Sequence, residues 1–573
     1  MGDLYDGGEI GEAEGKQEKM SSASSFSSWL SYSNALSETH KRLKERMGAT
    51  WTAEEEMTEI RRRSGADMKK KLEWYDLIAM GLGGMLGAGV FVTTGAVARQ
   101  NTGPAVILSY IVAGVSALLS AFCYTEFAVE MPVAGGAFSY LRITFGEFAG
   151  YFAGANLLLE YVLSNAAVAR SFTSYFSNVF GVSHGDAWRI KVHGLAEGYN
   201  MLDFPAVALV ILLTICICRS TKGSSMLNMA ATVLHLFFFA FIIVVGFTKG
   251  RLENLTEPSG FAPYGARGVF EGAAIVYFSY IGYDSVSTMA EEIRHPAKSI
   301  PVGVSGSVII VSLLYCLVAL ALCLLVPYHE INSSAAFSEA FKKSVGWKWG
   351  SNVVGAGAAL GILTSLLVAM LGQARYLCVF GRAHMIPFWF ARVNPITATP
   401  VNAALFLGVC TAAIAFFTEL SIVLNMISIG TLVVFYIVAN ALIYRRHVKK
   451  GVAKPLATIL FLVLLSASAT GFALFWQLEK QGWWGLIAFG IISIVLVAGF
   501  QFHVPIVHHP KDWGVPLMPW FPAASIFLNV FLLSTLDRQS YARFGIWTLL
   551  AVLFYAFFSV HASHDAEASL PEQ

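Results

Sequence analysis

Residues Gly81–Gly89 read GLGGMLGAG and run on into Val90-Phe-Val-Thr-Thr-Gly95 within a long apolar stretch. Five of these nine positions are glycine, and each glycine costs a helix interior about 1 kcal/mol relative to alanine. Two unrelated folds use such a stretch. A dinucleotide-binding turn sets GxGxxG between a strand and a helix, with an acidic residue about 20 positions on. A membrane helix can instead carry glycines where its backbone must unwind. Here Trp74-Tyr-Asp-Leu-Ile-Ala-Met80 leads straight into the apolar run, and residues 101–109 (NTGPAVILS) offer no acid. The interrupted membrane helix is the reading that fits.

Composition agrees. The 573 residues are 56% hydrophobic and 13% charged, with a mean hydropathy of +0.60, whereas soluble chains carry about 25% charged residues. This implies one polytopic, all-α membrane domain embedded in the lipid bilayer. The net charge of +2, without a basic patch interleaved with aromatics outside the N-terminal tail, gives no footing for nucleic acid. The seven cysteines fall in or beside apolar runs, and only Cys216-Ile-Cys218 is closely spaced, too tightly for a zinc pattern. No metal or cofactor is implied. No Ser–His–Asp set, HExxH or P-loop is present, so an enzyme is not expected. None of the cysteines lies in an outer loop, and no obligate partner subunit is announced.

A hydrocarbon core needs roughly 20 apolar residues per helix. About fourteen runs qualify: 75–99, 103–129, 136–171, 203–219, 226–249, 268–290, 302–326, 350–380, 401–417, 420–443, 455–476, 483–502, 517–535 and 543–560. An even number puts both termini on one side. Basic clusters at Arg61–Arg63, Lys69–Lys71 and Arg445–Lys454 make that side the cytoplasm. The expected organisation is a cytoplasmic tail over 1–70, a ten-helix core over 71–445, four further helices over 446–561 and a short cytoplasmic tail over 562–573. Residues 21–36 place Phe26, Trp29, Leu30 and Leu36 near one helical face, which suits an interfacial helix or an exposed tail with some helix. Asn254-Leu-Thr256 is a sequon in an expected outer loop.

Secondary transporters are often built from inverted repeats, each with a discontinuous helix at the substrate site. If 75–99 opens a five-helix repeat, the sixth span should be broken too. Residues Tyr277–Asp284 (YFSYIGYD) place Ser279, Gly282 and Asp284 within that span. A carboxylate at such depth costs about 2.5–3.5 kcal/mol on insertion scales and marks a functional candidate. Helix–helix packing through small residues such as Gly83 and Gly87 explains either run alone but not the paired interruptions. Unwinding exposes N–H groups at one half-helix N-terminus, where an anion is favoured, and carbonyls at the other break, suited to a cation. An α-amino acid presents both groups.

The stretches GLGGMLGAGVFVTTG (81–95), CYTEFAVEMPVAGGAFSY (123–140), GEFAGYFAGANLLLEYV (146–162) and YIGYDSVSTMAEEIRHPAKSIP (280–301) resemble the amino acid–polyamine–organocation permeases. More narrowly they are similar to the cationic amino acid transporters of plant type, over about residues 70–560. The resemblance implies about 14 transmembrane helices: a five-plus-five inverted repeat with discontinuous helices 1 and 6, then four C-terminal helices. It implies alternating access. It maps the substrate carboxylate onto Leu86, Gly87, Ala88 and Gly89, and the amine and side-chain end onto Phe278, Ser279, Ile281 and Asp284. Ile362 and Leu363 would line the pocket and make it partly apolar, open to large neutral amino acids as well as arginine and lysine. Glu126 matches a glutamate that the subfamily needs for transport.

In the fifth span, His235 falls where sodium-independent relatives carry a titratable or polar group. Histidine titrates near about pH 6.5 when unperturbed and could carry a proton through each cycle. The alternative is a neutral imidazole bonded to a carbonyl or to Thr364 or Ser365. Among other charges, Glu130 reads as a solvated helix end, Glu160 and Arg170 as a structural ion pair, and Arg375 as a residue that snorkels. The sequence thus points to a proton-coupled amino acid transporter of the plasma membrane, with the vacuolar membrane as the other location. Protons would couple through His235 and Asp284. A proton-independent exchanger and an amino-acid sensor signalling through the long tail are the competing readings.

Overall fold

The computed structural model describes residues 25–50, 72–86, 88–132, 135–180, 185–219, 222–283, 293–333, 335–394, 397, 399–448, 455–478 and 483–568. Within these the protein is all-α apart from one short hairpin, in which β1 (Ile190–Lys191) pairs antiparallel with β2 (Met201–Leu202). Two short helices, α1 (Trp29–Ser37) and α2 (Thr39–Arg46), precede the apolar helices.

The first span is two helices, α3 (Trp74–Met85) and α4 (Ala88–Val97). A capping box starts α3, with the Glu73 N–H donating to Asp76 at 3.0 Å. Leu86 ends it in an extended conformation. The second span, α5 (Val106–Glu130), stops at Met131, where Pro132 disfavours helix in the residue before it. The expected run 136–171 is two helices, α6 (Ala137–Phe145) and α7 (Glu147–Val179). Gly146 turns the chain between them at φ 101°, a conformation that other residues rarely adopt. Hydropathy cannot register a one-residue corner inside an apolar stretch.

Spans four and five are α8 (Phe204–Arg219) and α9 (Lys222–Lys249). The sixth begins as α10 (Gly265–Val276), tightens to a 3₁₀ turn over Tyr277–Tyr280 and goes extended at Ile281. Then come α11 (Pro296–Leu325), the short α12 (Ala336–Ala340), α13 (Lys348–Arg382), α14 (Val401–Phe417) and α15 (Leu420–His447). The C-terminal set is α16 (Leu456–Gln477), α17 (Trp483–His503), α18 (Trp520–Ser534), α19 (Arg538–Phe554) and α20 (Val560–Ala568). Eight helical stretches among the described residues are long and apolar enough to cross a membrane, and shorter apolar helices accompany them.

Lipid tails give helices no reason to associate by hydrophobicity, so small and polar residues hold the bundle together. Asn165 of α7 donates to Gln373 of α13 at 2.9 Å. The C-terminal set is fastened to the core through hydroxyls: Ser120 of α5 meets Ser525 of α18 at 3.0 Å, and Asn529 reaches Ser120 at 3.3 Å. The Asn254 side chain of the sequon donates to the Leu324 carbonyl at 2.7 Å, so it closes a loop onto α11.

Residues 25–49 are docked rather than trailing. The Ser25 N–H and hydroxyl both donate to Asp565 of α20, at 2.6 and 2.9 Å, and Tyr32 donates to the Phe557 carbonyl at 3.0 Å. Arg46 of α2 is buried against Glu147 at the start of α7, with Arg142 3.9 Å from the same carboxylate. Tyr555 and Ser563 donate to the other carboxylate oxygen at 3.2 and 2.7 Å. The two described ends of the chain therefore lie on the same side of the protein.

Candidate functional site

The two interruptions meet backbone to backbone. A methyl placed on Gly84 would lie 3.2 Å from the Gly282 carbonyl oxygen, and one on Gly282 would lie 2.9 Å from Gly84. A methyl on Gly89 would collide with Ser279. Gly84 and Gly89 of the opening motif lack side chains where the second broken helix presses against them. Gly87 and Asp284 lie outside the described residues.

Hydroxyls stitch the junction. Thr93 of α4 donates to the Gly89 carbonyl at 3.0 Å and stands 3.1 Å from the Ser279 hydroxyl. Tyr110 of α5 meets Thr94 at 2.7 Å and Thr93 at 3.2 Å. Tyr280 donates to the Tyr110 carbonyl at 2.8 Å. Tyr315 of α11 reaches the Met85 carbonyl at 2.6 Å and the Ser279 carbonyl at 2.9 Å. Sequence reasoning missed these tyrosines. The available signal was that a phenol deep in a span needs a partner for its hydroxyl.

Of the expected site residues, Leu86, Gly89, Phe278 and Ser279 are buried at this junction and Ile281 is half-buried beside it. Ala88 opens α4, whose first N–H groups have no partner within the helix. Ile362 is buried and Leu363 half-buried on α13, which packs against both α3 and α4. Phe91 roofs this region, with its ring 5.4 Å from Phe337 of α12 and 5.8 Å from Tyr175, whose hydroxyl donates to the Phe91 carbonyl.

His235 is buried between α9, α4 and α13, its ring 6.2 Å from Phe91 and 6.1 Å from Phe239. Its Nε2 has no hydrogen-bond partner among the described residues and lies where a side chain on Gly361 would be. Thr364, one of the partners expected for it, donates instead to the carbonyls of Leu360 and Gly361.

Glu126 faces the C-terminal helices. Both its oxygens accept from Arg446 of α15, at 2.6 and 2.8 Å, and one also accepts from the Val515 N–H at 2.7 Å. Glu130 is no solvated helix end: it pairs with Arg445 at 2.7 Å and with His508 at 2.9 Å. The expected Glu160–Arg170 pair also needs correcting. Ten residues along one helix separate them by about 15 Å, and Arg170 donates to the carbonyls of Ala415 and Met201 at 2.8 and 3.3 Å.

Residues 72–521 match the amino acid permease family, and residues 513–563 match the model of the permease C-terminus. The chain is 56% identical over 555 residues to cationic amino acid transporter 6, chloroplastic, of Arabidopsis thaliana, covering 95% of each chain. It is 43% identical to cationic amino acid transporter 8, vacuolar, of the same plant, over 94% of this chain and 91% of that one. Human cationic amino acid transporter 4 is 28% identical over 88% of this chain and 89% of its own length.

Proposed function

Because the chain belongs to the cationic amino acid transporters of the amino acid–polyamine–organocation superfamily, we propose that it moves cationic and large neutral amino acids by alternating access, with a proton as the coupled ion. It is a multi-pass membrane transporter of amino acids and not an enzyme. The observation that carries the finer reading is the junction at Gly84 and Gly282. On this reading the N–H groups that open α4 and the carbonyls that end the 3₁₀ turn of the sixth span serve the two ends of one ligand. The substrate carboxylate takes the N–H groups of Ala88 and Gly89, beside Leu86 and Gly87. The ammonium takes carbonyls of the Phe278–Ile281 segment. Specificity at the backbone of the substrate then depends on main-chain groups, and the side chain points toward Ile362 and Leu363.

His235 is the proposed proton carrier, since its buried Nε2 has no hydrogen-bond partner among the described residues and its ring touches both α4 and α13. Motion of α4 between outward-open and inward-open states would change its surroundings. Two relatives at 56% and 55% identity are named chloroplastic and a third vacuolar, so these names lend the plasma membrane no support; a fluorescent fusion in plant cells reads the compartment directly. The functional test is radiolabelled arginine uptake into empty proteoliposomes, with and without an inward proton gradient, for wild type and His235→Ala. Gradient-driven accumulation by wild type, with exchange alone in the variant, is expected. Equal uptake that ignores the gradient in both would overturn proton coupling and leave the exchanger. Binding without flux would favour the sensor.

A further inference from the structure

We infer that the Tyr315 hydroxyl fills the position of a cation between the two broken helices, making Tyr315 the positioning residue that holds the substrate site together without an ion. The inference rests on the reading of those helices as the substrate site. Met85 is the last residue of α3 and Ser279 lies in the 3₁₀ turn that ends the sixth-span half-helix. Their carbonyls have lost helical partners downstream, and both converge on one fully buried oxygen, at 2.6 and 2.9 Å. A phenol carries one proton, so it satisfies one carbonyl fully or shares itself between the two. Carbonyls freed by unwinding and aimed at one point are the arrangement with which discontinuous helices coordinate small cations. Here that point is taken by an atom covalently tied to α11. The tie matters mechanically, because it fixes α3 and the sixth span to a third helix, which a mobile ion would not do.

The surroundings fit this role. Tyr315 packs edge-on to Tyr280, with ring centroids 5.5 Å apart, and against Tyr110 at 5.3 Å. Both neighbours spend their hydroxyls elsewhere, Tyr280 on the Tyr110 carbonyl and Tyr110 on Thr93 and Thr94. Neither reaches the Met85 or Ser279 oxygen. Removing the Tyr315 hydroxyl leaves two buried acceptors facing a space the size of the lost oxygen.

The test compares wild type, Tyr315→Phe and Tyr280→Phe in proteoliposomes, with arginine as the probe and external sodium, potassium or choline chloride at equal strength. Wild type is expected to transport alike in all three. Tyr315→Phe should raise KM for arginine about tenfold in choline, the scale of a hydrogen bond lost at buried acceptors, and sodium should reverse much of that rise. Tyr280→Phe should show no sodium effect. Sodium stimulation of wild type would overturn the inference, and so would a Tyr315→Phe variant that matches wild type or is impaired equally in every salt. If the variant does not yield monodisperse protein, thermal unfolding of wild type with and without sodium decides: stabilisation by sodium overturns the inference, no shift supports it. A wild type that takes up no arginine would refute the proposed transport function instead, and sodium-induced thermal shifts of Tyr315→Phe against wild type would still read the vacated site.

Discussion

At Gly361 the backbone of α13 passes directly beneath the imidazole of His235, and a methyl there would overlap the ring. Gly361→Ala must push the imidazole off α13 or α13 off α9. Overpacking of this kind costs about 1–3 kcal/mol, so a lowered unfolding temperature in detergent is expected together with loss of the response to a proton gradient. Gly372, on the same helix, is the control. A methyl there meets no atom within 4 Å, and Gly372→Ala should be neutral or stabilising by up to about 1 kcal/mol, the difference in helix propensity. Equal shifts in the two variants would mean that His235 is not seated by contact. From the sequence, His235 was visible as a titratable group in an apolar run, but its dependence on a glycine 126 positions later was not. A missing side chain leaves no mark in a hydropathy profile. The same applies to Tyr315, which looks like one more large residue in LLYCLVAL (313–320) until its two carbonyl partners are in place.

Among elements, the brace between α5 and α15 is the contact whose loss should matter most. Glu126 and Arg446 are buried and joined at two points, and the Arg446 carbonyl also accepts from the N–H groups of Val507 and His508 at 2.9 and 3.0 Å. One side-chain pair therefore ties the second span, the tenth span and the connection between α17 and α18. Glu126→Gln leaves Arg446 uncompensated in a dry setting, which costs about 3–5 kcal/mol. A destabilised protein with weak transport is expected. The double variant Glu126→Met, Arg446→Leu should recover much of the stability, since a well-packed apolar pair can replace a buried ion pair. If transport returns with stability, Glu126 acts as a brace. Stability without transport would give the carboxylate a part in the cycle itself. At this scale the sequence was informative about where helices lie and where two of them break, because glycine runs and apolar lengths are local signals. It was silent on which charges pair, since residues 320 positions apart are joined only by the packing of the bundle.

For the whole molecule, the docked N-terminal helices are the least expected result. The apolar face of residues 21–36 was legible as amphipathic, and the sequence allowed a membrane surface as its partner. Polar residues of this segment dock on the C-terminal part of the same chain, Ser25 on Asp565 of α20 and Tyr32 on the Phe557 carbonyl, with Arg46 reaching Glu147 in the core, while Trp29 and Leu30 stay exposed, at 81% and 74%, and leave the membrane-surface reading open. Arg46→Ala should destabilise by about 3 kcal/mol, less whatever Arg142 restores from 3.9 Å. Differential scanning fluorimetry of the solubilised protein checks this, and an unfolding temperature equal to that of wild type would mean that Arg142 alone neutralises Glu147.

That arrangement sets a boundary on maturation. A precursor trimmed by a leader-removing protease keeps its seal only if the cut falls ahead of Ser25. A cut beyond Arg46 would discard one of the two cations beside a carboxylate fully enclosed in the bundle, leaving Arg142 alone at 3.9 Å, and would remove the contacts that Ser25 makes to α20. The amino-terminal helices thus act as a built-in subunit of the face on which both described ends of the chain lie.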